Sequence, residues 1–372
     1  MDSYRALSEI SIKGFKSIKE ANSLDLFDIN ILLGPNGSGK SSFISFFRML
    51  DAAMDGRLQV WAAEEGSAEK LFHLGLKETK RVSAFLKFGL NGYKIVLSAA
   101  ADGSLVFNEE KLYFAGYHWG EKWLDLGSGH KEAKLPDIKK KGKYEGTERK
   151  IVDYCYNAIS SWRIYHFHDT SSRAPIKRLG DAHDDLELRS DGSNLAAYLL
   201  SLKTSHPDTY QQIIRIIQLV VPDFDDFHLE PRSTKSGGEQ VSLQWRQKNS
   251  DYVLLPNQFS DGSIRFIGLV TALMQPTPPS TIIIDEPELG LHPSAIRLLG
   301  SLIRTSSKRM QIICSTQSPA LVNEFSLENL IIVEKDEGAS VFQRVDGDEL
   351  EKWLEDYTVG QLWEKNLLGG RP

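Results

Sequence analysis

The string Gly34-Pro35-Asn36-Gly37-Ser38-Gly39-Lys40-Ser41 fits the pattern G-x-x-x-x-G-K-[ST]. Glycines let backbone N–H groups turn inward toward phosphate oxygens. A helix after such a loop places its positive end at the same point. Lys40 is suited to reach β- and γ-phosphates, and Ser41 offers a hydroxyl to Mg2+, with Ser42 beside it as a further contact. A second string, Ile282-Ile283-Ile284-Asp285-Glu286-Pro287, is an apolar strand ending in two carboxylates. Two charges there are costly unless a cation or a substrate uses them. Asp285 is expected to face Mg2+, directly or through water, and Glu286 to hold and polarise an attacking water. The chemistry is hydrolysis of a nucleoside triphosphate, with ATP and Mg2+ as the expected cofactors.

These strings need strands and helices to hold them. Residues 29–33 (INILL) read as the buried strand before the loop, and residues 40–54 as the helix after it. Residues 281–284 are a β-branched apolar run, hence a second buried strand. Residues 293–306 read as a helix, 310–315 as a strand, 318–324 as a short helix and 330–334 as a strand. Between the two strings, residues 81–115 read as antiparallel strands with turns at Asn91-Gly92 and Asp102-Gly103. Residues 127–150 are polar and Lys-rich. A solvated loop is the plain reading, and contact with a phosphate backbone the sharper one. Residues 162–166 read as a strand that would place His166 and His168 on one face. Residues 194–202 and 207–220 read as helices, the second capped by Ser205 with Pro207 in its first turn. Residues 241–245 and 252–255 suggest a strand pair, and 263–274 a helix. The fold class is α/β, with a mostly parallel central sheet, an antiparallel β lobe at 60–125, a helical lobe at 180–275 and a tail at 345–372.

Several strings in this order resemble the ABC-type ATPase heads of the RecF, SMC and OLD proteins. ISIKGFKSI looks like their first strand and turn, INILLGPNGSGKSSF like their Walker A segment, and DEPELGLHP like Walker B running into the D-loop. Phe259-Ser260-Asp261-Gly262-Ser263 looks like their signature loop. Gln317, in Ser315-Thr316-Gln317-Ser318-Pro319, stands where they carry the switch histidine. The matching blocks cover residues 8–55 and 255–335. A competing string, Lys235-Ser236-Gly237-Gly238-Glu239-Gln240, looks more like the usual signature. It is followed by strand alternation, whereas Ser263 opens a helical pattern. The resemblance implies a single ABC-type head over 1–372. It also implies that Ser260, Asp261, Gly262 and Ser263 of one protomer close on the nucleotide held by another. A symmetric ATP-sandwich homodimer follows. Glutamine at 317 donates a hydrogen bond but carries no charge, so slow turnover is expected. The glutamine of the Q-loop is not evident, and His166–Thr170 is its placement by position.

The remaining features narrow the role. No heptad run leaves residues 169–260, so the pattern is RecF-like rather than rod-bearing, and nothing after Glu334 supplies a Toprim nuclease. Forty-four basic and fifty acidic residues give a net charge of −6, which argues against coating DNA all over. Two cysteines exclude a disulfide framework, and no apolar run approaches the ~18–20 residues of a membrane span. No signal peptide is expected, and the protein reads as cytoplasmic. Arg265 and Arg297 are candidates for phosphates or carboxylates across a dimer, or for plain surface solvation. His292 is placed at the dimer interface, and Lys13 and Lys16 flank the turn that approaches the nucleotide in similar heads. Trp353, Tyr357, Leu362 and Trp363 either cap the core or dock a partner. The role implied is an ATP switch that scaffolds or gates a separate effector, such as a nuclease in phage defence. The alternative is a RecF-like ATPase that binds DNA in repair or recombination. A transporter subunit fits the Walker B and D-loop string less well.

Overall fold

In the computed structural model, residues 6–116, 120–234, 237–345 and 350–370 are described. The chain opens with β1 (Glu9–Phe15) and β2 (Ile18–Asp25), a hairpin turning at Lys16. β3 (Ile29–Leu33) is buried at every position, as a strand covered on both faces must be. α1 (Lys40–Met54) begins at the phosphate loop and buries Phe43, Phe46, Phe47 and Leu50. Three short helices follow: α2 (Leu58–Glu64), α3 (Ser67–Leu71) and α4 (Gly75–Glu78). Next come β4 (Val82–Phe88), β5 (Asn91–Ala99), β6 (Leu105–Gly116) and β7 (Gly120–Gly127). The first of their turns lies at 89–90, not at Asn91-Gly92, because Asn91 already pairs with Phe88.

Residues 127–150 are not a loop. They contain α5 (Leu135–Lys141) and the start of α6 (Gly146–Ser160). Lysine favours helix, and each helix has an apolar side: Leu135 and Ile138 on one, Ile151, Val152, Cys155, Ala158 and Ile159 on the other. The start of α5 is capped from a distant strand. Buried Glu110 of β6 accepts from the N–H groups of Lys134 (2.8 Å) and Leu135 (3.0 Å), and from Tyr93 Oη (2.9 Å).

β8 (Arg163–Tyr165) stops short of His166, so His166 and His168 do not share a strand face. After β9 (Gly180–Asp181) come α7 (Leu195–Ser205) and α8 (Pro207–Val220). Position 206 caps α8 rather than Ser205, which ends α7; Pro207 then begins the new helix with its missing N–H harmless. β10 (Phe224–His228), β11 (Arg232–Ser233), β12 (Glu239–Val241), β13 (Gln244–Gln247) and β14 (Val253–Leu254) are short. Trp245 pairs with Leu254 as the pattern suggested, while β12 belongs to another small sheet. The last third runs α9 (Asp261–Leu273), β15 (Thr281–Asp285), α10 (Pro293–Ser306), β16 (Gln311–Thr316), α11 (Pro319–Val322), β17 (Leu330–Asp336), β18 (Ala339–Arg344) and α12 (Val359–Glu364).

The chain forms two compact units. The first comprises Met1–Trp162, Pro279–Ile283 and Met310–Pro372. It holds an antiparallel sheet ordered β2-β1-β4-β5-β6-β7 and the neighbouring strands β18-β17-β3-β16-β15. β3 lies between β16 and β17 and is parallel to both. β18 returns antiparallel to β17 after a turn with Glu337 at φ 46° and Gly338 at φ 84°. Both central residues at positive φ give the twist a tight hairpin requires. Leu362 and Trp363 are buried, so that part of the tail packs into the core, while Trp353 stays 45% exposed.

The second unit comprises Arg163–Pro278 and Ile284–Arg309. It contains α7, α8, α9 and α10, with two three-stranded sheets, β10-β13-β14 and β11-β12-β9. Its centre is α9, buried from Ile264 to Leu273 at every position.

Candidate functional site

In the first unit, β3 delivers the chain to the loop at Gly34 and α1 takes it up at Lys40. Lys40 is 5% exposed, and its Nζ donates to Gly34 O (2.6 Å) and Pro35 O (3.0 Å). An ammonium group is thus held inside the loop at the positive end of a fifteen-residue helix. Ser38 Oγ is buried and meets no hydrogen-bond partner among the described residues. A buried cation, an unmatched hydroxyl and a helix N-terminus form a donor set suited to a polyphosphate. Asn36, Gly37 and Ser41 are exposed, and Ser42 half-buried. Gln317 follows β16 and reaches the loop directly, its Nε2 donating to Asn36 Oδ1 at 2.9 Å. The structure therefore brings Gly34–Ser42 and Gln317 together.

Ahead of the loop, the β1–β2 turn is held against α1. Lys16 Nζ donates to Ser45 Oγ (2.7 Å) and Glu65 Oε2 (2.6 Å). Lys13 pairs instead with Glu20 at 2.5 Å on an exposed surface.

In the second unit, Asp285 and Glu286 leave the end of β15 half-buried. Glu286 has φ 42°, in the left-handed region that non-glycine residues seldom occupy. Such a conformation costs energy of order 1–3 kcal/mol and persists only where the surroundings impose it. Here Glu286 begins a tight turn, with Leu289 N donating to Glu286 O (3.3 Å) and Leu291 N to Glu288 O (3.0 Å). His292 then caps α10, its Nδ1 accepting from Ser294 N at 3.3 Å.

Ser260 is the N-cap of α9, and its Oγ accepts from Ser263 N at 3.1 Å. Phe259, just before it, stacks on Trp245 with centroids 4.5 Å apart. The helix start packs tightly on the turn after Glu286. A Cβ on Gly262 would lie 2.2 Å from Gly290 O, so position 262 admits only glycine. Gly237 and Gly238 of the competing string form a turn leading into β12, with Gly238 O accepting from Thr234 N at 2.8 Å, and head no helix. Lys235 and Ser236 lie outside the described residues.

Arg265 is neither solvated at the surface nor free for a partner. It is 8% exposed. Its Nε donates to Phe167 O (2.9 Å), Nη2 to His168 O (3.1 Å) and Nη1 to Leu289 O. Burial lowers the pKa of its guanidinium, against the pull of Asp261 and Glu288. Arg265 thus binds the segment after β8 to the turn after Glu286. Phe167, His168, Arg265 and 284–287 line a shallow depression there. Arg297 is exposed on α10. The isolated sequence signal, an arginine one turn into a helix, does not separate these two fates. Among the described residues no cluster of three or more His, Cys, Asp or Glu is placed to hold a metal ion.

The sheet with a phosphate loop between β3 and α1, an antiparallel β lobe and a helix headed by Ser260 define a P-loop NTPase of the ABC-type ATPase-head class. A family described as "AAA domain, putative AbiEii toxin, Type IV TA system" matches residues 29–323, and the chain belongs to it. Among solved structures the chain is similar to an Smc head bound to the C-terminal winged-helix domain of ScpA. The TM-score is 0.60 at 16% identity, covering 93% of this chain and 99% of that one. It is also similar to an Smc head with an extended coiled coil bound to the C-terminal domain of ScpA, derived from Pyrococcus furiosus. There the TM-score is 0.55 at 14% identity, covering 94% and 98%. No curated protein matches the chain.

Proposed function

We propose that this ATPase is a slow switch. Two copies close on two ATP molecules, and the closed dimer scaffolds or gates a separate effector, such as a nuclease, in phage defence. In this reading Gly34–Ser42 hold the phosphates, Ser41 and Asp285 hold Mg2+, and Glu286 orients the attacking water. Gln317 senses the γ-phosphate through its place beside Asn36. Ser260–Ser263 of the other copy complete the site. The observation that carries the reading is the start of α9. Ser260 and Asp261 are exposed at a capped helix N-terminus, which offers donors to an anion from outside the chain. The family description and the ScpA-bound heads support a protein partner.

DNA as the partner has less support. In the Lys-rich segment offered as a phosphate-backbone contact, several basic groups already have acidic partners: Lys131 with Asp102, Lys139 and Arg149 with Asp153, and Lys141 with Asp137. A RecF-like DNA role would require tight duplex binding with a steep salt slope. Among the described residues no helix is long and apolar enough to cross a membrane. A cytoplasmic location belongs to the same proposal.

The test is the solution mass of Glu286→Gln with and without Mg·ATP. A monomer that becomes a dimer on adding ATP is the expected result. A mass that stays monomeric at saturating ATP overturns the sandwich.

A further inference from the structure

Ser340 on β18 is 1% exposed. Its Oγ lies 2.6 Å from Ser38 O and 2.7 Å from Ser17 Oγ. Ser17 Oγ lies 2.8 Å from Ser42 Oγ. Three hydroxyls thus tie the β17–β18 hairpin and the β1–β2 turn to the two ends of the phosphate loop's last turn. The approach depends on Gly39, at φ 121°, where a Cβ would fall 2.0 Å from Ser340 Oγ.

The protons order this chain. A hydroxyl has one proton to donate, and a carbonyl only accepts. Ser340 must therefore donate to Ser38 O. Its contact with Ser17 then takes the proton of Ser17, and the Ser17–Ser42 contact takes that of Ser42. Three bonds and three protons fit one direction, from Ser42 through Ser17 and Ser340 to Ser38 O, and each bond polarises the next. The peptide plane carries the effect into the loop. In a trans peptide the C=O of Ser38 and the N–H of Gly39 point opposite ways. Anchoring Ser38 O on β18 turns the Gly39 N–H away from β18.

We propose that Ser340 and Ser17 are positioning residues of the phosphate loop, which pre-set the Gly39 N–H for a nucleotide phosphate. This rests on the phosphate-binding reading of residues 34–42. Neither serine touches the nucleotide; Ser340 acts through Ser38, and Ser17 through Ser340.

The experiment measures MgADP affinity by calorimetry for Ser340→Ala, Ser17→Ala, the double variant and Lys40→Ala, with melting curves taken without nucleotide. Ser340→Ala should weaken MgADP about three- to tenfold, the range set by loss of one hydrogen bond. The double variant should bind no more weakly than Ser340→Ala, because one chain is cut twice. Unliganded melting should stay within a few degrees, since Ser340 N still donates to Ser17 O at 2.8 Å. Wild-type affinity in Ser340→Ala overturns the proposal, as do two losses that add in full. If Ser340→Ala does not fold, half-buried Ser17→Ala decides, and unchanged affinity there overturns it. Lys40→Ala separates the two readings. If it too binds normally, the phosphate-loop assignment fails. If it alone loses binding, only the serine chain fails.

Discussion

At the scale of single residues, the chemistry-bearing types were plain in the sequence, but their partners were not. Lys40 follows from its motif, and the structure adds that its ammonium is held by two loop carbonyls. Lys40→Ala should abolish measurable ATP binding in a fluorescent-nucleotide titration while leaving the fold intact; undiminished affinity would refute the loop assignment. Gln317 is a finer case. Its amide on Asn36 reports the loop but carries no charge. Gln317→Ala should slow phosphate release by about a hundredfold or more, the scale of losing one donor to a transition-state oxygen, with ATP affinity within about threefold. Gln317→His should raise the rate above wild type. A steady-state assay of kcat beside an affinity measurement checks both. Arg265 was legible only as an arginine near a signature. Two of the three backbone carbonyls it serves lie almost a hundred positions upstream, which no local pattern contains.

At the scale of elements, period and punctuation served well where burial was two-sided. β3, β15 and α10 fall where their apolar patterns put them. The pattern failed at 127–150, where charge looked like solvation. The apolar side of α5 is short, and its cap, Glu110, comes from β6. It also passed over β18, although Glu337-Gly338 followed by alternation was a readable hairpin signal. The start of α9 allows a sharper test, because one residue has two separable duties. As an N-cap, Ser260 contributes about 1 kcal/mol, so Ser260→Ala should lower stability by that amount in urea denaturation. As a signature residue it should matter to turnover, so Ser260→Arg should retain ATP binding and lose hydrolysis. Normal hydrolysis in that variant would place the signature elsewhere. Gly262→Ala should be far more destabilising than Ser260→Ala, since its methyl would overlap Gly290 O.

For the molecule as a whole, the α/β class and the succession of motifs were readable, and the division into two units was not. The first unit gathers three separated stretches of chain, a matter of long-range pairing rather than local preference. Both cysteines are buried in that unit and fully covered. Burial raises Cys155 to about 12, so at pH 8 its thiolate is a small minority. Neither thiol should react with an aromatic disulfide reagent in the native protein, and both should react once it is unfolded in guanidinium. Rapid labelling of the native form would contradict the burial.

The central place of β3 has a consequence for how the protein is made. Its neighbours β16 and β17 pair through Ile31 with Cys314 and with Leu330. A ribosome releases β3 long before its partners, which begin only at residue 311. Until then the nascent chain carries an apolar strand and its following loop with no parallel neighbour to set them. Distant pairings of this kind fold slowly and leave the early segment open to misassociation. Competence to bind nucleotide is therefore acquired late and all at once. A chain stalled before residue 311 should bind none, so a bound ATP certifies that synthesis has reached β16.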